Sequence, residues 1–232
     1  MRAPAKLTVS LRITGVEPDG YHLIDAEMVS LDLADELELS DGDGLEVTGP
    51  AASGVPTGDD NLVRRALAAV GRTAHVRLVK HIPAGAGLGG GSSDAAAVLR
   101  WACESDLAVA AALGADVPFC LVGGRARVRG VGEVVEPLPF EERTYTLVTP
   151  PIRVSTPDVY KAWDELGGPP GENGNDLEPA ALLVAPDLSH WRDRLAAAAG
   201  QRPRLAGSGG TWFVEGAFPG EDRIVVQTVA GG

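Results

Sequence analysis

With 232 residues, 44% apolar and 22% charged, the chain is long enough to bury a sizeable core as one large domain or as two small ones sharing an interface. Its formal net charge of -12 excludes the basic footprint of a nucleic-acid or anionic-membrane partner, but not a phosphorylated small molecule held by a few local donors and a divalent cation. No stretch reaches the roughly 18 apolar residues of a membrane span, and "MRAPAKLTVSLRITG" carries no apolar run after its basic residues, so the expected location is cytoplasmic.

From Ala5 to Thr14 the residues alternate, with Leu7, Val9, Leu11 and Ile13 on one face and Lys6, Thr8, Ser10 and Arg12 on the other. This predicts a half-buried strand on which Lys6 and Thr8 are same-face neighbours. Turn signals at Pro18 to Gly20 and Asp41 to Gly44 then frame antiparallel strands and a hairpin. "DDNLVRRALAAVG" predicts a helix capped by Asp59 or Asp60, with Leu62, Val63, Ala66, Leu67 and Val70 on one face and Gly71 at its end. "AHVRLVKHI" reads as a strand, and the loop after it holds five glycines: Gly85, Gly87, Gly89, Gly90 and Gly91. A helix from Ser92 to about Ala102 follows, with Ser92 or Ser93 as its N-cap and Asp94 in its first turn.

"LAVAAALGADVPFCLVGG" reads as a short helix that breaks at Gly114 before a turn, and "ARVRGVGEVVEPL" as a hairpin. Cys103 and Cys120, both in apolar context, are too few for a disulfide framework and are expected to be reduced core thiols. "STPDVYKAWDEL" starts a helix, with Thr156 as cap and Pro157 at the first helical position. "GGPPGENGND", residues 167 to 176, reads as a mobile linker or surface loop. One or two helices in "DLEPAALLVAPDLSHWRDRLAAAAG", two strands around the small-residue turn of "RPRLAGSGGTWFVEG", and a last strand in "DRIVVQTV" complete the chain. The pattern predicts an α+β fold with a boundary near residue 145, separating lobes at 1–145 and 146–232.

Strand, glycine loop and helix in that order suit a phosphate site, because glycine permits positive φ and a helix start offers free N–H groups to an anion. Gly85, Gly87 and Gly90 satisfy G-x-G-x-x-G, with Asp106 about 20 residues beyond Gly85. Pro83 nevertheless interrupts the strand before the turn, and no second apolar strand carries the acid. The P-loop spacing fails at Gly91, which stands where its lysine belongs, so a cation has to come from elsewhere in the chain.

"PAGAGLGGGSSDAA" resembles the ATP-binding loop of the galactokinase, homoserine kinase, mevalonate kinase and phosphomevalonate kinase (GHMP) superfamily. Within it, "APAKLTVSLRITGVEPDGYHLIDAEMVSLDLAD", "DDNL", "LGADVPF", "NDLE" and "RLAGSGGTWF", in this order over residues 3–213, are similar to the family of 4-diphosphocytidyl-2-C-methyl-D-erythritol kinases. The resemblance implies two α+β lobes with the active site in the cleft between them, and ATP with Mg²⁺ as cofactors. It also implies the reaction, phosphorylation of the 2-hydroxyl of the cytidine-diphosphate-linked methylerythritol in the non-mevalonate isoprenoid precursor pathway.

Residue by residue, it implies that Pro83, Ala84, Gly85, Ala86, Gly87, Leu88, Gly89, Gly90, Gly91, Ser92 and Ser93 hold the ATP phosphates, with at least one serine reaching phosphate and Mg²⁺. Asn61 would lie near the adenine, Asp116 would accept the proton of the substrate hydroxyl, and Lys6 would pair with Asp116. Tyr21 and His22 would bind the cytosine, while Gly207, Ser208 and Gly209 would close over the site. Thr8 stands where the family usually has asparagine, beside the substrate. The same residues have plainer uses, as helix caps, turn glycines and a solvated lysine, and no motif places a carboxylate as a Mg²⁺ ligand. "DGYH" and "NDLE" favour this alcohol over homoserine or mevalonate; a nucleotide-binding protein without turnover is the alternative of a different class.

Overall fold

In the computed structural model, which describes residues 1–231, the two longest strands, β1 (Arg2–Val16) and β2 (His22–Ser40), pair antiparallel along most of their length. In chain order there follow β3 (Gly44–Thr48), α1 (Leu62–Ala69), β4 (His75–Val79), α2 (Gly90–Trp101), α3 (Leu107–Leu113), α4 (Val117–Val122), β5 (Arg125–Gly130) and β6 (Val134–Pro137). Then come β7 (Thr144–Val148), α5 (Thr156–Glu165), α6 (Glu178–Val184), α7 (Leu188–Ala199), β8 (Arg204–Leu205), β9 (Trp212–Glu215) and β10 (Ile224–Gln227). The expected hairpin at 125–137 forms as β5 and β6. One sheet runs β3-β4-β2-β5-β6, with β1 also on β2 and only β3–β4 parallel. The other is antiparallel, in the order β10-β7-β9-β8. This is an α+β, two-lobed architecture.

β1 is not the half-buried strand that its alternation predicts. Lys6 and Thr8 are buried, as are Leu7 and Val9 between them. Register shifts lie between Pro4 and Lys6 and between Thr8 and Ser10. Such irregularities turn the side chains beyond them to the opposite face. Accordingly Ala3 and Leu11 join the helix-side core, whereas Ala5, Leu7 and Val9 join a second core with Leu31, Tyr145, Leu147, Phe213 and Val226. The second core draws on both sheets and covers the apolar face of the strand, so Lys6 and Thr8 are aimed to the other side. Each large apolar side chain buried there contributes about 1.5–3 kcal/mol.

Several local expectations shift. Asn61, rather than Asp59 or Asp60, caps α1, its Oδ1 accepting from Val63 N at 2.8 Å from an extended backbone conformation. Ser155 caps α5 one residue before Thr156. The stretch after Gly114 is not a plain turn, because Val117–Val122 forms α4, with Pro118 tolerated in a first turn whose N–H groups need no partner within the helix. Cys120 is buried as expected, but Cys103 is exposed beyond the end of α2 with φ +60°, so it is not a core thiol. Asp106, the acid of the dinucleotide spacing, caps α3 by accepting from Ala108 N.

Residues 167–176 are not a slack linker. Asp176 accepts from Arg12 Nη1 (2.5 Å), Ile13 N (2.9 Å) and Gly171 N (2.8 Å). Asn175 Nδ2 donates to the carbonyls of Leu205 and Gly207 at 2.8 and 2.7 Å. The Gly- and Pro-rich stretch thereby ties β1 to the turn after β8. Among the described residues no helix is long and apolar enough to cross a membrane.

Candidate active site

Between β4 and α2 the chain turns through Gly85, Gly87 and Gly89 at φ +74°, +77° and +66°, a region that L side chains rarely adopt. Close approach excludes side chains as well: a Cβ at Gly87 would lie 2.5 Å from the Gly209 carbonyl oxygen, and one at Gly89 2.6 Å from Lys6 Cγ. Helix α2 starts at Gly90 rather than Ser92, with Gly89 as its cap and no side-chain cap bond. A serine cap would occupy the first N–H groups, whereas glycines leave them open to an anion. Asp94 therefore sits past the first turn and is buried.

Two cavities meet at this loop. The smaller, about 340 Å³, is lined by Pro83, Ala84, Gly85, Ala86, Gly87, Leu88, Gly89, Gly90, Gly91 and Ser92, with Asn61, Lys80 and Asp94. The larger, about 890 Å³, is lined by Lys6, Thr8, Tyr21, His22, Asp116, Tyr160, Asp164, Gly207 and Ser208 among others. Gly87 and Ser92 line both, which marks the junction. Ser93 lines neither; its Oγ donates to the Pro4 carbonyl at 2.5 Å and staples α2 to β1. Gly209 also lines neither and packs on Gly87 from behind.

In the larger cavity Lys6 Nζ stands 3.2 Å from Asp116 Oδ2 and donates to Thr8 Oγ1 at 3.1 Å. Lys6 is nearly covered, while a third of the Asp116 side chain is open to the cavity. Lys6 N also donates to the Leu88 carbonyl at 2.9 Å, so the glycine loop and the lysine are fixed to one another. Cys120, one turn beyond Asp116, is buried, and burial raises its thiol well above the ordinary value, which keeps it protonated and inert. At the far end of the larger cavity His22 Nε2 lies 2.8 Å from Asp164 Oδ1, with the His22 ring 4.7 Å from that of Tyr160 and edge-on to Trp163 at 5.6 Å. Tyr21 is exposed at the rim. Across the turn at 206–211, Ser208 Oγ pairs with Thr156 Oγ1 at 2.7 Å, and a Cβ at Gly207 would lie 3.5 Å from Thr8 Oγ1.

Residues 61–124 match the GHMP kinases N terminal domain. A crystal structure of 4-(cytidine 5'-diphospho)-2C-methyl-D-erythritol kinase superposes with a TM-score of 0.77 at 32% identity, covering 100% of this chain and 99% of its own. The 4-diphosphocytidyl-2-C-methyl-D-erythritol kinase of Paracoccus denitrificans is 40% identical over 99% of this chain and 91% of its own length. This chain belongs to the 4-diphosphocytidyl-2-C-methyl-D-erythritol kinase family. Homoserine kinase from Cytophaga hutchinsonii, at a TM-score of 0.62 and 19% identity, shares the fold alone.

Like the 4-diphosphocytidyl-2-C-methyl-D-erythritol kinase family to which it belongs, the chain is a small-molecule kinase, and kinases of this family use ATP. The sequence reading missed a group beneath the glycine loop, where Lys80 Nζ donates to Asp94 Oδ2 at 2.6 Å and also to Asp35, all three side chains being buried. Asp35 Oδ1 in turn accepts from His81 N and Ile82 N at 2.6 and 2.9 Å, fixing the chain as it enters the loop. It also missed Tyr160 and Asp164, which α5 brings against His22.

Burial pushes the Asp94 carboxyl up to about 7; neighbouring Asp35 adds to the rise and Lys80 opposes it. Its unfolded value is 3.8, so folding takes up a proton between these limits. The resulting stabilisation is full below the unfolded value and is lost as pH rises through about 7. Urea unfolding between pH 5 and 8 is expected to show a decline on the order of 2 kcal/mol that Asp94→Asn largely abolishes. Identical pH slopes in the two proteins would contradict the assignment.

Proposed function

We infer that the chain transfers the γ-phosphoryl group of ATP to the 2-hydroxyl of 4-diphosphocytidyl-2-C-methyl-D-erythritol, in the non-mevalonate isoprenoid precursor pathway. The observation that carries this reading is the Lys6–Asp116 pair, 3.2 Å apart in the larger cavity, with Lys6 held against the glycine loop that both cavities share. One cavity offers main-chain donors and a helix start to a polyphosphate, and the other offers room for a sugar phosphate ending in a base.

In this reading Asp116 accepts the proton of the substrate hydroxyl. Phosphoryl transfer is largely dissociative, so the proton leaves late and a positioned carboxylate serves as its acceptor. Lys6 faces the Asp116 carboxylate, supplies the positive charge missing at Gly91 and opposes charge building on the transferred group. Thr8 orients Lys6 by accepting from its Nζ. Asn61 is both cap and lining residue; with Oδ1 on Val63 N and one Nδ2 hydrogen on the Pro56 carbonyl, it has a second Nδ2 hydrogen for the adenine. With Asp164 accepting from His22 Nε2–H, Nδ1 is left to accept from the amino group of cytosine, while Tyr21 and Tyr160 offer ring faces to the base.

Among the described residues no cluster of three or more His, Cys, Asp or Glu could hold a metal. Mg²⁺ keeps several waters and takes its remaining ligands largely from phosphates, and the Ser92 hydroxyl, which lines both cavities, would be its protein ligand. Bound there, Mg²⁺ would neutralise phosphate charge. The two serines thus divide, and their variants separate the roles. Ser92→Ala is expected to lower kcat about tenfold with an unchanged melting temperature. Ser93→Ala is expected to leave kcat intact and to lower stability by about 1–2 kcal/mol. Kinetics at saturating ATP beside thermal melts read both, and the reverse pattern would exchange the assignments.

The function itself is tested by ADP release from the purified protein with ATP and Mg²⁺, offered 4-diphosphocytidyl-2-C-methyl-D-erythritol, mevalonate and homoserine in parallel. Turnover is expected with the first alone. Nucleotide binding without turnover of the first would overturn the reading in favour of a non-catalytic nucleotide-binding protein.

A further inference from the structure

Every lysine that lines the two cavities already faces a carboxylate. Lys6 is opposed by Asp116, Lys80 is enclosed by Asp35 and Asp94, and Lys161 lies 3.8 Å from Glu165. No arginine lines either cavity. The chain nevertheless has to hold a polyphosphate of several negative charges against its own formal net charge of -12. Main-chain N–H groups and a helix dipole supply only partial charges.

One cation at the edge of the smaller cavity has no such partner. Arg153, on the segment between β7 and α5, is exposed and makes no ion pair or side-chain hydrogen bond among the described residues. Its position is defined by packing. A Cβ at Gly54 would lie 2.4 Å from Arg153 Nη2, and one at Gly85 would lie 3.8 Å from Arg153 Cγ. Gly54 and Gly85 both line the smaller cavity, so the side chain runs from the glycine loop to the loop that faces it. Both glycines have φ near +75°, and a side chain at Gly54 would displace the guanidinium.

We propose that Arg153 is an ATP-binding residue whose guanidinium clamps the nucleotide polyphosphate from the open side of the cavity. It adds a full positive charge and a planar set of donors to a cradle otherwise built of backbone. The proposal rests on the assignment of the smaller cavity to ATP and adds to it a residue from the second lobe.

The test compares wild type with Arg153→Ala, Arg153→Gln and Arg153→Lys, using calorimetric binding of ATP and of adenosine together with steady-state kinetics. Arg153→Ala and Arg153→Gln are expected to weaken ATP about tenfold, in Kd and KM alike, while leaving adenosine binding, kcat and the KM of the alcohol substrate within about twofold. Arg153→Lys should recover part of the loss, and the wild-type advantage should shrink as salt is raised, because the contact is solvent-accessible. ATP affinity in Arg153→Ala within twofold of wild type, or an equal loss for adenosine, would overturn the proposal and leave the ATP assignment standing. Failure of the wild type itself to bind ATP would overturn both.

Discussion

Asp116→Asn is expected to lower kcat by about 10²–10⁴-fold while leaving the Kd for ATP within about threefold, because the change removes the proton acceptor and keeps the shape of the site. The side chain stands at the start of α4, partly open, with Lys6 Nζ 3.2 Å away. Asparagine is isosteric and can still accept from Lys6, but it cannot take up a proton. Lys6→Ala is expected to cost about 10²-fold or more in kcat by another route, since it removes the full positive charge nearest the reacting group. Because the two side chains act as one unit, the double variant should be scarcely slower than the worse single one. Rapid-quench measurement of the first turnover reads the chemical step directly. Near-wild-type turnover of either single variant would remove that residue from its role, and strictly additive losses would show the pair to act independently.

Lys80→Met is expected to have the largest effect on stability, about 3–5 kcal/mol, because it leaves Asp35 and Asp94 buried without their cation. One oxygen, Asp94 Oδ1, has no hydrogen-bond partner even with the lysine in place, so relaxation cannot readily satisfy a second carboxylate. Removing all three charges together, as Lys80→Met with Asp35→Asn and Asp94→Asn, should recover much of the loss, since replacing a buried charge cluster by neutral groups is often close to neutral. Chemical unfolding of the single and triple variants measures both effects. A loss below about 1 kcal/mol in the single variant would mean that water or a shifted side chain compensates the carboxylates.

What was legible in the sequence follows from how local each signal is. The glycine loop is written in consecutive residues whose positive φ and close contacts admit little else, and Lys6 and Thr8 share a face two residues apart. Asp116 was reached through the resemblance of "LGADVPF", since a lone acid in a turn carries no signal of its own. The helix start was misplaced because serine is a strong capping residue in general, whereas here the first turn had to remain uncapped and to fit under Ile82 and Lys80. The Lys80 cluster was hidden because its members come from β2, α2 and the segment just after β4, and Asp35, within "LDLADELEL", alternates as a solvated strand residue would. Contacts distant in sequence explain the third miss: "GGPPGENGND" has the composition of a free loop, and partners on β1 and around β8, far away in the chain, hold it in place. A faint signal did exist for Lys80, a lysine closing an apolar strand directly before the loop.

Two of the three register shifts of β1, at Pro4/Lys6 and at Thr8/Ser10, act as a matched pair. Each inverts the parity of the strand and together they restore it, so Ala3 and Leu11 serve the same core while Lys6 and Thr8 between them face the site. The strand beyond Leu11 is pinned to Asp176, and the chain before Lys6 is held through Ser93 on the Pro4 carbonyl. A deletion of one residue at Leu7, between these two shifts, would put Lys6 and Thr8 on opposite faces of the strand, and with Thr8 held by the strand beyond it the lysine is the one displaced. It would rotate that ammonium group by half a turn into the dry seam beside Leu31 and Tyr145. Such a frame error would abolish the charge at the reacting centre and bury it where it is least tolerated, which makes the length of β1, as much as its composition, a determinant of catalysis.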